Sequence, residues 1–156
     1  MLGRKRSEEW DGVDRRAPAT VLLASDDADA GEMLARFVGR AGYRVLTATS
    51  GAATMGRMQA ELPRVVVLDL VAGGVGSNLK VLDQIRTHDD PKVSSARVVL
   101  CAASPRNRTF SFQSGADSFL ARPFHLDDLL AQIADVLQRP QEARALHRRD
   151  QLALDL

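Results

Sequence analysis

Val65-Val66-Val67-Leu68-Asp69-Leu70 is the stretch whose reading decides the fold. A run of consecutive apolar residues this short reads as a strand covered on both faces, as in a parallel sheet with helices above and below it. Asp69 closes the run, and Val71-Ala72-Gly73-Gly74-Val75-Gly76 follows as a glycine-rich loop. A carboxylate at the end of a buried strand is costly unless that end opens onto solvent, a cation or chemistry. An earlier run, Val21-Leu22-Leu23-Ala24, leads into Ser25 and the acids Asp26-Asp27. In a parallel sheet both strand ends lie on one rim, where ligands bind, so Asp26 and Asp69 are expected to face one site.

Working outward, strand and helix signals alternate from Thr20. Thr20–Ala24 and Tyr43–Thr49 read as strands. Between them Met33, Leu34, Phe37, Val38 and Ala41 recur at helical spacing, with Gly42 as a stop. Gly51–Glu61 carries a weak helical period ended by Pro63. Leu79, Leu82 and Ile85 mark a further helix that ends near Asp89-Asp90-Pro91. Arg97–Ala102 and Ser118–Ala121 are the last two strands. Leu126, Leu129, Leu130, Ile133, Val136 and Leu137 share one face of the last helix, with Asp127 and Asp128 in its first turn. Ser104–Ser114, with Pro105 and Asn107, has poor helical propensity, so the fourth helix is expected to be short or distorted. The whole predicts an α/β fold: a flavodoxin-like, doubly wound, five-stranded parallel sheet of order 2-1-3-4-5 with helices on both faces.

Composition narrows the class. Hydrophobic residues make up 45% of the 156, enough for one core, and Lys+Arg 21 against Asp+Glu 20 leaves no electrostatic footprint for nucleic acid or an anionic membrane. No apolar run approaches the roughly 20 residues of a membrane span. The start, Met1 to Arg6, is not a secretory signal, and the lone Cys101 cannot form an internal disulfide. A cytoplasmic protein is expected, with Cys101 a buried, inert thiol. His88, His125 and His147 show no metal-ligand spacing. The expected organisation is a polar, disordered tail over 1–19, one domain over 20–139, and a C-terminal extension over 140–156. Leu146, Leu152, Leu154 and Leu156 are interrupted by Arg148-Arg149-Asp150, which favours a fraying continuation of the last helix over a docking peptide. The flanks are expected to be too short for a separate output domain.

From Thr20 to Arg139 the sequence resembles the receiver domain of bacterial two-component response regulators. Three pieces carry the resemblance in order. They are Val-Leu-Leu-Ala-Ser-Asp-Asp-Ala-Asp at 21–29, Val-Val-Val-Leu-Asp-Leu at 65–70, and Gly-Ala-Asp-Ser-Phe-Leu-Ala-Arg-Pro-Phe at 115–124. The resemblance implies a signalling domain, not an enzyme, with Asp69 as phosphoacceptor. It implies Mg²⁺ held by Asp26, Asp69 and the backbone carbonyl of Val71, the oxygen-donor set such an ion takes. It also implies a histidine kinase or phosphorelay protein as donor, a downstream signalling protein, a homodimer through the last helix and fifth strand, and a cis Arg122-Pro123 bond aiming Arg122 into the site. Phe119 falls at the aromatic position that rotates on activation in the family, or else fills core.

Three positions depart from the family's pattern. Ser25 stands at the first acidic position, in the register that keeps Val21–Ala24 as strand. Ala102 replaces the hydroxyl residue that binds the phosphoryl group, and Arg122 replaces the lysine before proline. A hydrogen bond to a charged group is worth roughly 1.5–3 kcal/mol, while a full two-state switch needs about 5.5 kcal/mol, so Ala102 alone removes a large share of the switching energy. Two versions follow: a phosphoacceptor at Asp69 with a weakened metal site, or a phosphorylation-independent pseudo-receiver that docks a partner. Arg122 paired with Asp69 would favour the second. A Mg²⁺-dependent phosphohydrolase is the rival class. Enzymes of that kind want a second acid two residues after the nucleophile, where this chain has Val71. A flavodoxin-like binder of a small cofactor is the remaining alternative.

Overall fold

The computed structural model describes residues 18–72 and 75–154, with Val75 defined by its backbone alone. The expected disorder of the N-terminal tail, the Gly73-Gly74 part of the loop and Leu156 lie outside the described residues. The elements are β1 (Thr20–Ser25), α1 (Ala28–Arg40), β2 (Arg44–Ala48), α2 (Gly51–Glu61), β3 (Val65–Asp69), α3 (Val75–Arg86), α4 (Pro91–Ser94), β4 (Arg97–Ala102), α5 (Arg108–Gln113), β5 (Ser118–Ala121), α6 (Leu126–Gln138) and α7 (Arg144–Ala153). All strands are parallel, in the order β2-β1-β3-β4-β5. This is the expected flavodoxin-like sheet.

Side chains of each strand alternate between two cores, as the two-residue period of a strand requires. Leu22, Val66, Leu68, Val98 and Leu100 pack on one face with Met58, Leu82, Ile85 and Val93. Val21, Leu23, Val65, Val67, Val99 and Cys101 pack on the other with Leu34, Val38, Leu129, Ile133 and Val136. Burial of β3 on both faces is what forbids a polar residue anywhere but at its end. Gly42, at φ +104°, ends α1 in the left-handed region, as the sequence suggested.

The weak fourth helix has its expected form: a 3-10 turn over Pro105–Asn107 leads into six-residue α5. Two elements differ from expectation. The turn at Asp89-Asp90-Pro91 opens a one-turn helix, α4, because the Asp90 side chain accepts the Lys92 N–H and Pro91 needs no donor partner there. The C-terminal extension is not a frayed continuation of the last helix. The chain breaks at Arg139-Pro140, makes a 3-10 turn at Gln141–Ala143, and returns as a separate helix, α7, packed against α5. Its inward face is polar. Arg144 is buried, Phe112 meets His147 edge-on, and Arg108 pairs with the side chain of Gln151. A face filled by guanidinium groups leaves no apolar period to read.

Candidate functional site at the C-terminal rim of the sheet

Ser25 lies opposite Asp69 in the β1–β3 register, so Ser25 ends the strand and Asp26 follows it into the loop. This is the register expected from Val21–Ala24, lengthened by one residue. The three loop positions have separate tasks. The Ser25 hydroxyl is buried and donates to the Asp27 carbonyl at 3.0 Å. Asp27 caps α1, accepting the Ala30 N–H at 3.1 Å. Asp26 reaches across to the β3–α3 loop, where Oδ1 accepts the Val71 N–H at 3.3 Å and Oδ2 the Ala72 N–H at 2.8 Å.

Asp69 is 1% exposed. Its Oδ2 accepts from the Arg122 guanidinium, while Oδ1 is buried with no hydrogen-bond partner. Burial pushes the Asp69 carboxyl above its ordinary value of 3.8, Arg122 pulls it back, and Asp26 and Asp27 add to the rise. Arg122 comes from the end of β5, where its N–H pairs with the Ala102 carbonyl at 2.8 Å and its bond to Pro123 is cis. Its guanidinium also lies over the Phe124 ring, 5.3 Å from the ring centroid. Ala102 is buried and offers only a methyl group at this rim. Phe119 is half-buried and packs on the α2–α3 side of the sheet.

One further residue builds the site and is not marked by the sequence pattern. Asn78 on α3 is wholly buried; its Oδ1 accepts the Leu70 N–H at 2.8 Å and its amide donates to the Cys101 carbonyl at 2.7 Å. It ties the strand end that carries Asp69 to the neighbouring strand. Asp117, just before β5, lies at the opposite end of the sheet, bonded to Arg86 and Arg144. Neither shows a sequence signal, since Asn78 bonds only backbone groups and the arginine partners of Asp117 lie 27 and 31 residues away.

A hard divalent cation can be tested against these donors. Asp26, Asp69 and the Val71 carbonyl are oxygen ligands of the right kind, and the orphaned Asp69 Oδ1 is an acceptor still without a donor. The fit is chemical but competed. A cation would compete with Arg122 for the Asp69 carboxylate and with the two amides for Asp26. Among the described residues no group of three His, Cys, Asp or Glu side chains is gathered for a metal.

The response regulator receiver domain family matches residues 21–134, and the chain belongs to that family. Relatives include the transcriptional regulatory protein PrrA of Mycobacterium tuberculosis, 30% identical over 123 residues, covering 76% of this chain and 50% of that protein. The response regulator MprA of Mycolicibacterium vanbaalenii is 32% identical over 123 residues, covering 78% of this chain and 52% of its own. A putative response regulator from Chloroflexus aurantiacus has a similar structure, with a TM-score of 0.69 at 26% identity, covering 78% of this chain and 99% of that one. The chemotaxis regulator CheY4 of Vibrio cholerae shares the fold, with a TM-score of 0.66 at 21% identity over 77% of this chain and 99% of its own.

The chain spans about half the length of the mycobacterial relatives it matches. The expectation that nucleic acid is not a partner is therefore withdrawn. Near-neutral charge describes this chain, whereas a relative of which it covers only 50% is named a transcriptional regulatory protein. No described helix is long and apolar enough to cross a membrane.

Proposed function

We propose that this receiver domain signals chiefly by protein contact from the state in which Arg122 holds Asp69, and that phosphoryl transfer to Asp69 is slow. The observation that carries this reading is the closed set of partners at the rim. Arg122 is on Asp69, the loop amides are on Asp26, and the Ser25 hydroxyl is turned onto its own loop. A phosphoryl group and its counter-ion would have to compete with each of these contacts. Ala102 then gives nothing back, for want of a hydroxyl. A lost hydrogen bond to a charged group, roughly 1.5–3 kcal/mol, corresponds to about one to two powers of ten in rate or occupancy.

The alternative, Asp69 as an ordinary phosphoacceptor for a histidine kinase or phosphorelay protein, is favoured by one feature. Oδ1 is a carboxylate oxygen with a free lone pair at the strand end. In that chemistry Oδ1 would attack the donor's phosphorus, the bond to the donor's leaving atom would break, and an acyl phosphate would form on Asp69. Asp26, Asp69 and the Val71 carbonyl would hold Mg²⁺, which when bound supplies the charge that neutralises the phosphoryl group. Arg122 would pass from the carboxylate to the new phosphoryl oxygens, which a planar guanidinium can engage in pairs.

Intact mass after incubation with acetyl phosphate and Mg²⁺, against an Asp69→Asn control, separates the two readings. Little or no phosphoryl-sized gain supports the contact-signalling reading, and prompt stoichiometric gain at Asp69 supports the second.

A further inference from the structure

At the opposite end of the sheet, below the N-termini of β4 and β5, a cavity of about 320 Å³ opens between α3, α4 and α7. Its walls carry three guanidinium groups, Arg86, Arg144 and Arg148, with Ser94, Ser95, Gln141 and Ala145. No acidic side chain is among these lining residues. Behind them lies the carboxylate of Asp117, 1% exposed. It accepts from Arg86 at 2.9 Å and from Arg144 at 2.8 and 2.9 Å. The remaining N–H groups of Arg86 and Arg144 go to the neutral acceptors Ser94, Ser95, Ala96, Gly115 and Gln141, which satisfy donors without cancelling charge.

Arg148 is held differently. It stands 3.6 Å from Asp117, an ion-pair distance too long for a hydrogen bond, so its fork keeps donors for another acceptor. Three positive charges thus share one negative charge in a partly desolvated pocket. Burial is the main cause that brings Arg86 down to about 10; the pull of Asp117 opposes it, and repulsion from Arg144 and Arg148 adds a smaller part. Gly115 is fitted to this cluster. Its φ is +107°, and a Cβ there would stand 3.1 Å from Arg86 Nε.

We propose that this cavity binds a small oxyanion of the phosphate class, engaged by Arg148 and held in the fixed positive field of Arg86 and Arg144. Guanidinium groups suit such an anion because their paired N–H donors match its oxygens. Arg144 and Arg148 both belong to α7, so an anion seated there fastens α7 to the domain. The site is independent of the reading given to Asp69.

The test is thermal unfolding of the full chain in a millimolar phosphate series, with chloride keeping ionic strength constant. Wild type, Arg148→Gln and Asp69→Asn are compared, and amide exchange is followed in α7. Phosphate should raise Tm saturably in wild type and in Asp69→Asn, slowing exchange across Arg144–Ala153. In Arg148→Gln the apparent affinity should fall roughly tenfold or more, the loss of one charge-assisted contact. The proposal is overturned by a Tm that does not distinguish phosphate from chloride. It is overturned equally by a rise that survives Arg148→Gln, or by one that Asp69→Asn markedly strengthens, which would put the anion on the freed Arg122 at the other rim. Arg148 keeps about a quarter of its side chain exposed, at 27%, so the variant should fold, and its Tm without phosphate checks this.

Discussion

Replacing Asp117 with asparagine keeps the shape of the side chain and removes the negative charge that holds the buried Arg144 and the partly buried Arg86. Arg86 and Arg144 expose 19% and 6% of their side chains. Asp117 takes three hydrogen bonds from them and a fourth from the Val98 N–H at 2.9 Å. Removing one partner of a buried, hydrogen-bonded ion pair costs about 3–5 kcal/mol. Asparagine retains a single acceptor oxygen and turns an amide N–H₂ toward a guanidinium, so the loss belongs in that range. A domain of this size holds about 5–15 kcal/mol in total. At a urea slope of about 2 kcal/mol per molar, the midpoint should fall by roughly 2 M. Amide exchange should rise first in α7, whose anchor is Arg144. A fall of less than about 1 kcal/mol, the value of an exposed pair, would refute the view that this cluster holds the C-terminal helix.

Other perturbations separate the two ends of the sheet. Asp69 has a raised folded pKa, set by desolvation and only partly offset by Arg122, so it costs stability at neutral pH and costs less as pH falls through that folded value. Asp69→Asn should therefore be at least as stable as wild type to urea at neutral pH, and should lose that advantage in acid. Asp117 has the opposite sign. Desolvation raises it, but hydrogen bonds and charge from Arg144, then Arg86 and the Val98 N–H, bring it below 3.8 overall. Its stabilisation is present above that ordinary value and lost as pH falls through the folded one, so α7 exchange should accelerate only in strong acid. Ala102→Ser should increase acetyl-phosphate labelling of Asp69 by about tenfold or more, read by intact mass, since it returns one hydrogen bond to a charged group. Cys101 is fully buried and its thiol is pushed up by that burial, so iodoacetamide should label it only after unfolding.

The sheet was legible because its signals are local. An apolar run ended by Asp69, another ended by Ser25 and Asp26, and a strongly amphipathic last helix each declare themselves within a few residues. Strand register then follows from burial on both faces, and it settles that Ser25 and not Asp26 pairs with Asp69. The partners of Asp26 were not legible, because backbone amides 45 and 46 residues away leave no side-chain pattern. Asn78 and Asp117 escaped for the same reason, each bonding across the fold. The extension was misread for a different reason. Arg148-Arg149-Asp150 breaks an apolar stripe, yet a helix can dock through arginines when a buried carboxylate awaits them.

The most direct measurement compares wild type with Ala102→Ser/Arg122→Lys in one labelling experiment. Both are incubated with acetyl phosphate and Mg²⁺, with Asp69→Asn as blank, and intact mass is followed in time. The expected result is little or no phosphoryl gain in wild type and clear gain in the double variant, because the Arg122 clamp and the missing hydroxyl are what hold Asp69 back. Prompt, stoichiometric labelling of wild type that matches the double variant would contradict it and make Asp69 an ordinary phosphoacceptor.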